Sequence, residues 1–182
     1  MRVYVPATIA MLQRLVAEEE LHPISRTAFA VTPTLREAYA AGDDDELAEV
    51  AMNEAARASL RLIATEAGEV EAGEGESGEA GSALPGAVVY RRAVIAADVD
   101  EVTLRPDLDD AVVRLAGPLP LSAVASVHVD LSEAESAIQR AASVVDAADL
   151  GDADAEFVLG DAEDHELAWY ATQELPFLLE LL

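Results

Sequence analysis

Apolar and polar positions recur along the chain with a period that changes from segment to segment, and the changes mark where strands give way to helices. Arg2 to Val5 reads as a short strand closed by a Pro6-containing turn. Thr8 then caps a helix on which Met11, Leu12, Leu15 and Val16 share one side, ending near Glu20. Thr27 to Val31 reads as a second strand, with Pro33 and Thr34 opening a helical turn that runs through Leu35 and Tyr39 to a break at Gly42. Asp43 and Glu46 have the spacing of a capping box. The stripe Leu47, Ala51, Ala55, Ala58 and Leu62 behind them predicts the longest helix, about Asp44 to Thr65.

In the second half, Val88 to Val99 is the strongest strand signal, interrupted by Arg91 and Arg92, and Val112 to Leu115 predicts another strand before Gly117, Pro118 and Pro120 force a turn. The strand Ser126 to Val129 leads through Asp130 into a helix with Ser132 and Glu135 at capping-box spacing and Ile138, Ala141, Val145 and Ala148 on its apolar side. Phe157 to Leu159 reads as a last short strand. A helix opening at Gly160 and Asp161 is expected to carry Leu167, Tyr170, Ala171 and Leu175 until Pro176 ends or kinks it. Between the halves, residues 68–86 hold 6 of the 10 glycines and 5 glutamates, with Val70 and Leu84 as the only large aliphatics. Burial of so little apolar surface does not offset backbone ordering, so this insert is expected to be a disordered loop.

The resulting order, βα, βαα, insert, ββ, βα, βα, predicts an α/β fold with a mixed sheet covered by helices, one domain over residues 1–182. A ferredoxin-like two-layer α+β sandwich is the alternative, since the strand-helix-strand opening suits both. The greasy end, Phe177, Leu178, Leu179, Leu181 and Leu182, is expected to pack on its own domain or across a dimer interface, because five such side chains left in water form an aggregation-prone patch.

Charge narrows the function classes. Arginine is the sole strong cation, 11 against 36 carboxylates, for a net charge of −25. Such a surface repels phosphate backbones and anionic headgroups, which excludes general nucleic-acid binding and a polybasic membrane anchor. The absence of cysteine removes disulfides, thiolate chemistry and cysteine-ligated metals. No apolar run approaches a membrane span, and the first residues lack the pattern of a secretory signal, so a cytoplasmic setting is expected. There is no lysine to complete a phosphate-binding loop and no serine in a nucleophile elbow, so no pattern requires a nucleotide or other cofactor.

Histidines carry the remaining chemistry near neutral pH. His128 and Asp130 lie two apart on a strand and share a face at its C-terminal end, the usual edge for α/β ligand sites. Asp161, Asp164, His165, Glu166, Trp169 and Tyr170 form the densest set of functional side-chain types. At helical spacing, Asp161 orients His165 as a base and Trp169 supplies an aromatic wall. His165, Asp161, His128 and Asp130 are therefore the candidate catalytic residues. Convergence of the two histidines with Asp130 and Glu166 would make a two-histidine carboxylate metal site. The acidic run from Asp152 to Glu163 copies part of a calcium-loop spacing but has Phe157 where the sharp turn needs glycine, and it reads as a solvated surface instead. The arginines read as partners of internal ion pairs.

MRVYVPAT at residues 1–8, TAFAVTPTLREAYA at 27–40, SVHVD at 126–130 and EDHELAWYATQEL at 163–175 resemble a family of short uncharacterised proteins from high-GC actinobacteria. The resemblance implies a bacterial cytoplasmic origin and carries no activity over to any residue. The leading expectation is a non-enzymatic binding or accessory protein acting as a homo-oligomer or with a protein partner. The alternative is a small hydrolase or metal-assisted enzyme using the histidine and carboxylate candidates. A shared concave pocket would favour the enzyme and scattered groups the binder.

Overall fold

Seven strands build the main sheet of the computed structural model, which describes residues 1–74 and 87–182. In chain order the strands are β1 (Arg2–Ala7), β2 (Glu20–Leu21), β3 (Thr27–Phe29), β4 (Ala93–Asp98), β5 (Val102–Leu104), β6 (Val112–Leu115), β7 (Leu119–Pro120), β8 (Val124–Val129) and β9 (Ala168–Ala171). The large sheet runs β5-β6-β3-β1-β4-β8-β9, and β2 with β7 forms a separate two-stranded piece. The helices are α1 (Ile9–Glu18), α2 (Pro33–Ala38), α3 (Asp44–Glu74), α4 (Glu135–Asp149), α5 (Ala153–Glu163) and α6 (Leu175–Glu180). The expected α/β domain with helices packed on a sheet is present, and every strand pairing described in it is antiparallel.

Alternation along the strands sends side chains to two helical layers. Val3, Val5, Ile95 and Val113 face a core closed by Leu12 and Leu15 of α1 and by Leu175 and Leu178 of α6. Their neighbours Tyr4, Val94 and Val112 face the other way, against Leu47, Ala51 and Ala55 of α3. Helices thus cover both faces. That replaces the ferredoxin-like alternative, whose helices share one face. A third cluster joins Leu60 and Ile63 of α3 to α4 and α5, explaining why α3 is apolar over so broad an arc.

Local signals set most helix starts. Thr8 accepts from the Met11 N–H, Thr32 from the Leu35 N–H, and Asp43 and Glu46 exchange reciprocal bonds at 2.9 and 3.1 Å. Three expectations need correction. Strand β1 continues through Pro6 instead of turning there. The Met1–Val99 backbone pair directs alternate N–H groups of β1 to β4, which turns Pro6 toward β3, where the pairing has ended, so its missing donor costs nothing. Helix α3 runs on to Glu74, over the first seven residues expected to be disordered, with Glu66 bonding Thr8 and Val70 lining a cavity of about 400 Å³ together with Ile9 and Gln13 of α1. The rest of that expectation, residues 75–86, lies outside the described residues. Ser132 and Glu135 form no capping box, since the Glu135 carboxylate pairs with Arg91 at 2.8 Å and a short 3₁₀ turn precedes α4.

The largest departure falls at residues 152–180. Asp152 accepts from the Ala155 N–H and caps α5, which absorbs the strand expected at Phe157 to Leu159 and ends at Glu163. The segment expected as helix is the strand β9, and Pro176 opens α6 in its first turn rather than ending a helix. Of the C-terminal apolar group, Leu178 and Leu179 pack on their own domain while Phe177 and Leu181 remain exposed. No described helix is long and apolar enough to cross a membrane.

Candidate functional site

Two of the sequence candidates, Asp130 and His165, meet at one end of strands β4, β8 and β9, and the group that joins them is Arg92. Its backbone N–H and Nε each donate to Asp130 Oδ2 at 2.8 Å, and Nη2 donates to Asp130 Oδ1 at 2.8 Å. Nη2 also donates to the His165 carbonyl at 2.7 Å. The side chains of Arg92 and Asp130 are 5% and 0% exposed, so this is a desolvated, bidentate ion pair with its lone pairs filled. Both Asp130 oxygens are therefore committed to Arg92. The arginine clamps the end of β8 to the segment that enters β9.

His165 sits in that segment, just after α5, with its backbone N–H donating to the Ala162 carbonyl. Its side chain lines a shallow depression of about 330 Å³ with Leu131, Glu133, Ala134, Asp164 and Glu166. The structure brings Asp130 and the backbone of His165 together through Arg92. Asp161 lies apart, exposed in the last turn of α5, so the helical spacing that paired it with His165 is replaced by a helix end and a strand. Among the described residues, no three His, Asp or Glu side chains gather closely enough to hold a metal ion. The acidic run from Asp152 is a capped helix, not a loop.

His128 lies one step down β8, on the same face as Asp130. It is directly opposite Trp169 of β9, and its Nε2 is 3.2 Å from Ser126 Oγ. Burial, with help from the Arg2 charge, holds the imidazole below the ordinary histidine value. The Asp130 N–H bonds to the Arg92 carbonyl, which fixes the alternation of the ladder. Asp130 and His128 direct their backbone groups to β4, and Val127 and Val129 direct theirs to β9. Tyr170 and Ala168 therefore bond β8. Trp169 and Ala171 turn their N–H and C=O groups to the open side of the sheet, where Glu174 Oε2 accepts the Ala171 N–H at 2.8 Å. Trp169 is 61% exposed on this edge strand.

Two residues of this site are only partly legible in the sequence. Arg92 reads only as one of two arginines interrupting a strand, one of which must sit toward a helical layer or at the sheet edge, with internal ion pairing expected of the arginines in general. Trp169 was placed on a helix, although the run Ala168-Trp169-Tyr170-Ala171 has the aromatic content of a strand. Comparisons with the curated proteins and with the solved structures find no match. The model of a family of unknown function (DUF6912) matches residues 1–179, and the chain belongs to that family.

Proposed function

We propose that this protein is a non-enzymatic binding or accessory protein that receives an extended segment of a protein partner along β9. The observation that carries the reading is an exposed tryptophan on an edge strand whose outward backbone groups have, among the described residues, no partner at Trp169. Strand addition at such an edge gains main-chain hydrogen bonds, and a neighbouring aromatic supplies contact area at small entropic cost. The enzyme reading is weaker, because it assigns His128 a carboxylate, Asp130, whose oxygens both serve Arg92. On the resemblance of residues 1–8, 27–40, 126–130 and 163–175, we take the protein to be bacterial and cytoplasmic.

Trp169 is the chain's one tryptophan, so its emission reports on the site without a label. Selection of a randomised peptide library on the intact chain is expected to yield binders that shift Trp169 emission to shorter wavelength and lose affinity for the Trp169→Ala variant. Binders that leave the emission unchanged and tolerate that variant, or no binders at all, would overturn the proposal.

A further inference from the structure

Resting on the docking reading of β9, we infer that the segment received there is a cationic extended peptide, with arginine or lysine flanking a short apolar stretch. The edge itself offers the Trp169 N–H and C=O, while Glu174 already occupies the Ala171 N–H. An added strand therefore makes its main-chain bonds around Trp169, and its next side chains reach the ends of β9. Those ends are acidic. From Glu163 to Glu174 the chain carries four carboxylates and no arginine, and Asp164, Glu166 and Glu174 are all exposed. The nearby cations are both paired, Arg92 buried against Asp130 and Arg2 with Asp98 at 2.8 Å. His128, held below its ordinary value by burial, adds no compensating charge at neutral pH. The ring face of Trp169 adds a cation–π surface for a guanidinium or ammonium group.

A second copy of this chain fits the same edge poorly. Antiparallel self-pairing through the Trp169 groups runs β9 of one copy head to tail against β9 of the other. That arrangement brings the acidic flanks of the two strands together, Asp164 and Glu166 before β9 of one copy near Glu174 after β9 of the other, and each chain carries −25 overall. Like charges placed directly across a ladder oppose pairing, whereas basic flanks on a partner turn the same carboxylates into attraction and faster encounter.

The test uses the full chain and three synthetic peptides with one β-prone apolar core, flanked by arginines, by serines or by glutamates. Trp169 emission is the readout for the chains that keep the tryptophan, and titration calorimetry measures binding to the Trp169→Ala variant, which has none. The arginine-flanked peptide is expected to bind roughly ten-fold tighter than the serine-flanked one at low salt, with the gap closing as salt screens the flanks, and the glutamate-flanked peptide weakest. The exposed pair Asp164→Asn and Glu166→Gln is expected to narrow the gap without altering the melting temperature. Equal binding of the arginine and serine peptides, both lost in Trp169→Ala, overturns the cationic partner while leaving β9 as the docking edge. No response to any peptide, or a response that Trp169→Ala does not change, overturns both. A concentration-dependent blue shift of the chain alone, with sedimentation showing a dimer, overturns the inference in favour of self-pairing.

Discussion

Replacing Asp130 by alanine strips a buried guanidinium of its counter-ion and of two of its three hydrogen bonds, and leaves the Arg92 N–H without its acceptor. With side-chain exposures of 5% and 0%, water does not take the place of the lost carboxylate. Breaking such a pair costs about 3–5 kcal/mol, because the remaining charge stays desolvated. For a domain of this size each kcal/mol moves the melting temperature by about 2–4 °C, so the loss corresponds to roughly 6–20 °C. Urea titration followed by circular dichroism measures the free energy directly, and an unchanged slope would show that the unfolded state is unaltered. Replacing both partners, Arg92→Met with Asp130→Leu, is expected to recover much of the loss, since desolvation of two ions offsets most of their attraction. Asp130→Ala should also leave the guanidinium held by the His165 carbonyl alone and so loosen the entry to β9, seen as stronger acrylamide quenching of Trp169. A destabilisation under about 1 kcal/mol, or a double variant less stable than either single one, would refute the reasoning.

Ser59→Ala should cost about 2 kcal/mol in the same titration, because the fully buried Ser59 Oγ bridges the Ala7 carbonyl at 2.7 Å and the Ala93 N–H at 3.0 Å, linking α3 to β1 and β4. Asp43→Ala should cost about 1 kcal/mol by removing one half of the capping box at the start of α3, and Asp43→Ser should restore it. His128 is held below its ordinary value of 6.5 mainly by burial, so the unfolded chain takes up that proton first on acidification. Its contribution to stability is complete above about pH 6.5 and is lost as pH falls toward the folded value, and His128→Gln should flatten that part of the pH profile. Glu66 has the opposite sign. Burial raises its carboxyl above the usual value despite the Thr8 bond, so deprotonation between the unfolded and folded values costs stability as pH rises, and Glu66→Gln should stabilise the protein at neutral pH but not in acid.

The sequence alone determined the parts of this fold whose causes lie within a few residues. Thr8, Thr32 and Asp43 cap helices because the bond from an N-cap oxygen reaches only to the third residue on, and the stripes of α1, α3 and α4 follow from a local period. The shared face of His128 and Asp130 was legible for the same reason, since alternation along a strand is a local rule. Tertiary structure decided the rest. Four residues, Ala168 to Ala171, are too few to distinguish a period of two from one of 3.6, and they are a strand because β8 offers a free edge to pair with. Asp161 and His165 were separated by that same choice, because a helix that ends at Glu163 no longer sets side chains four apart on one face. Asp130 found Arg92 across 38 residues, a pairing fixed by the β4–β8 register and by the cost of burying either charge alone. Sequence spacing carries local geometry, whereas the partner of a buried charge and the fate of a short apolar run depend on which surfaces the folded chain brings together.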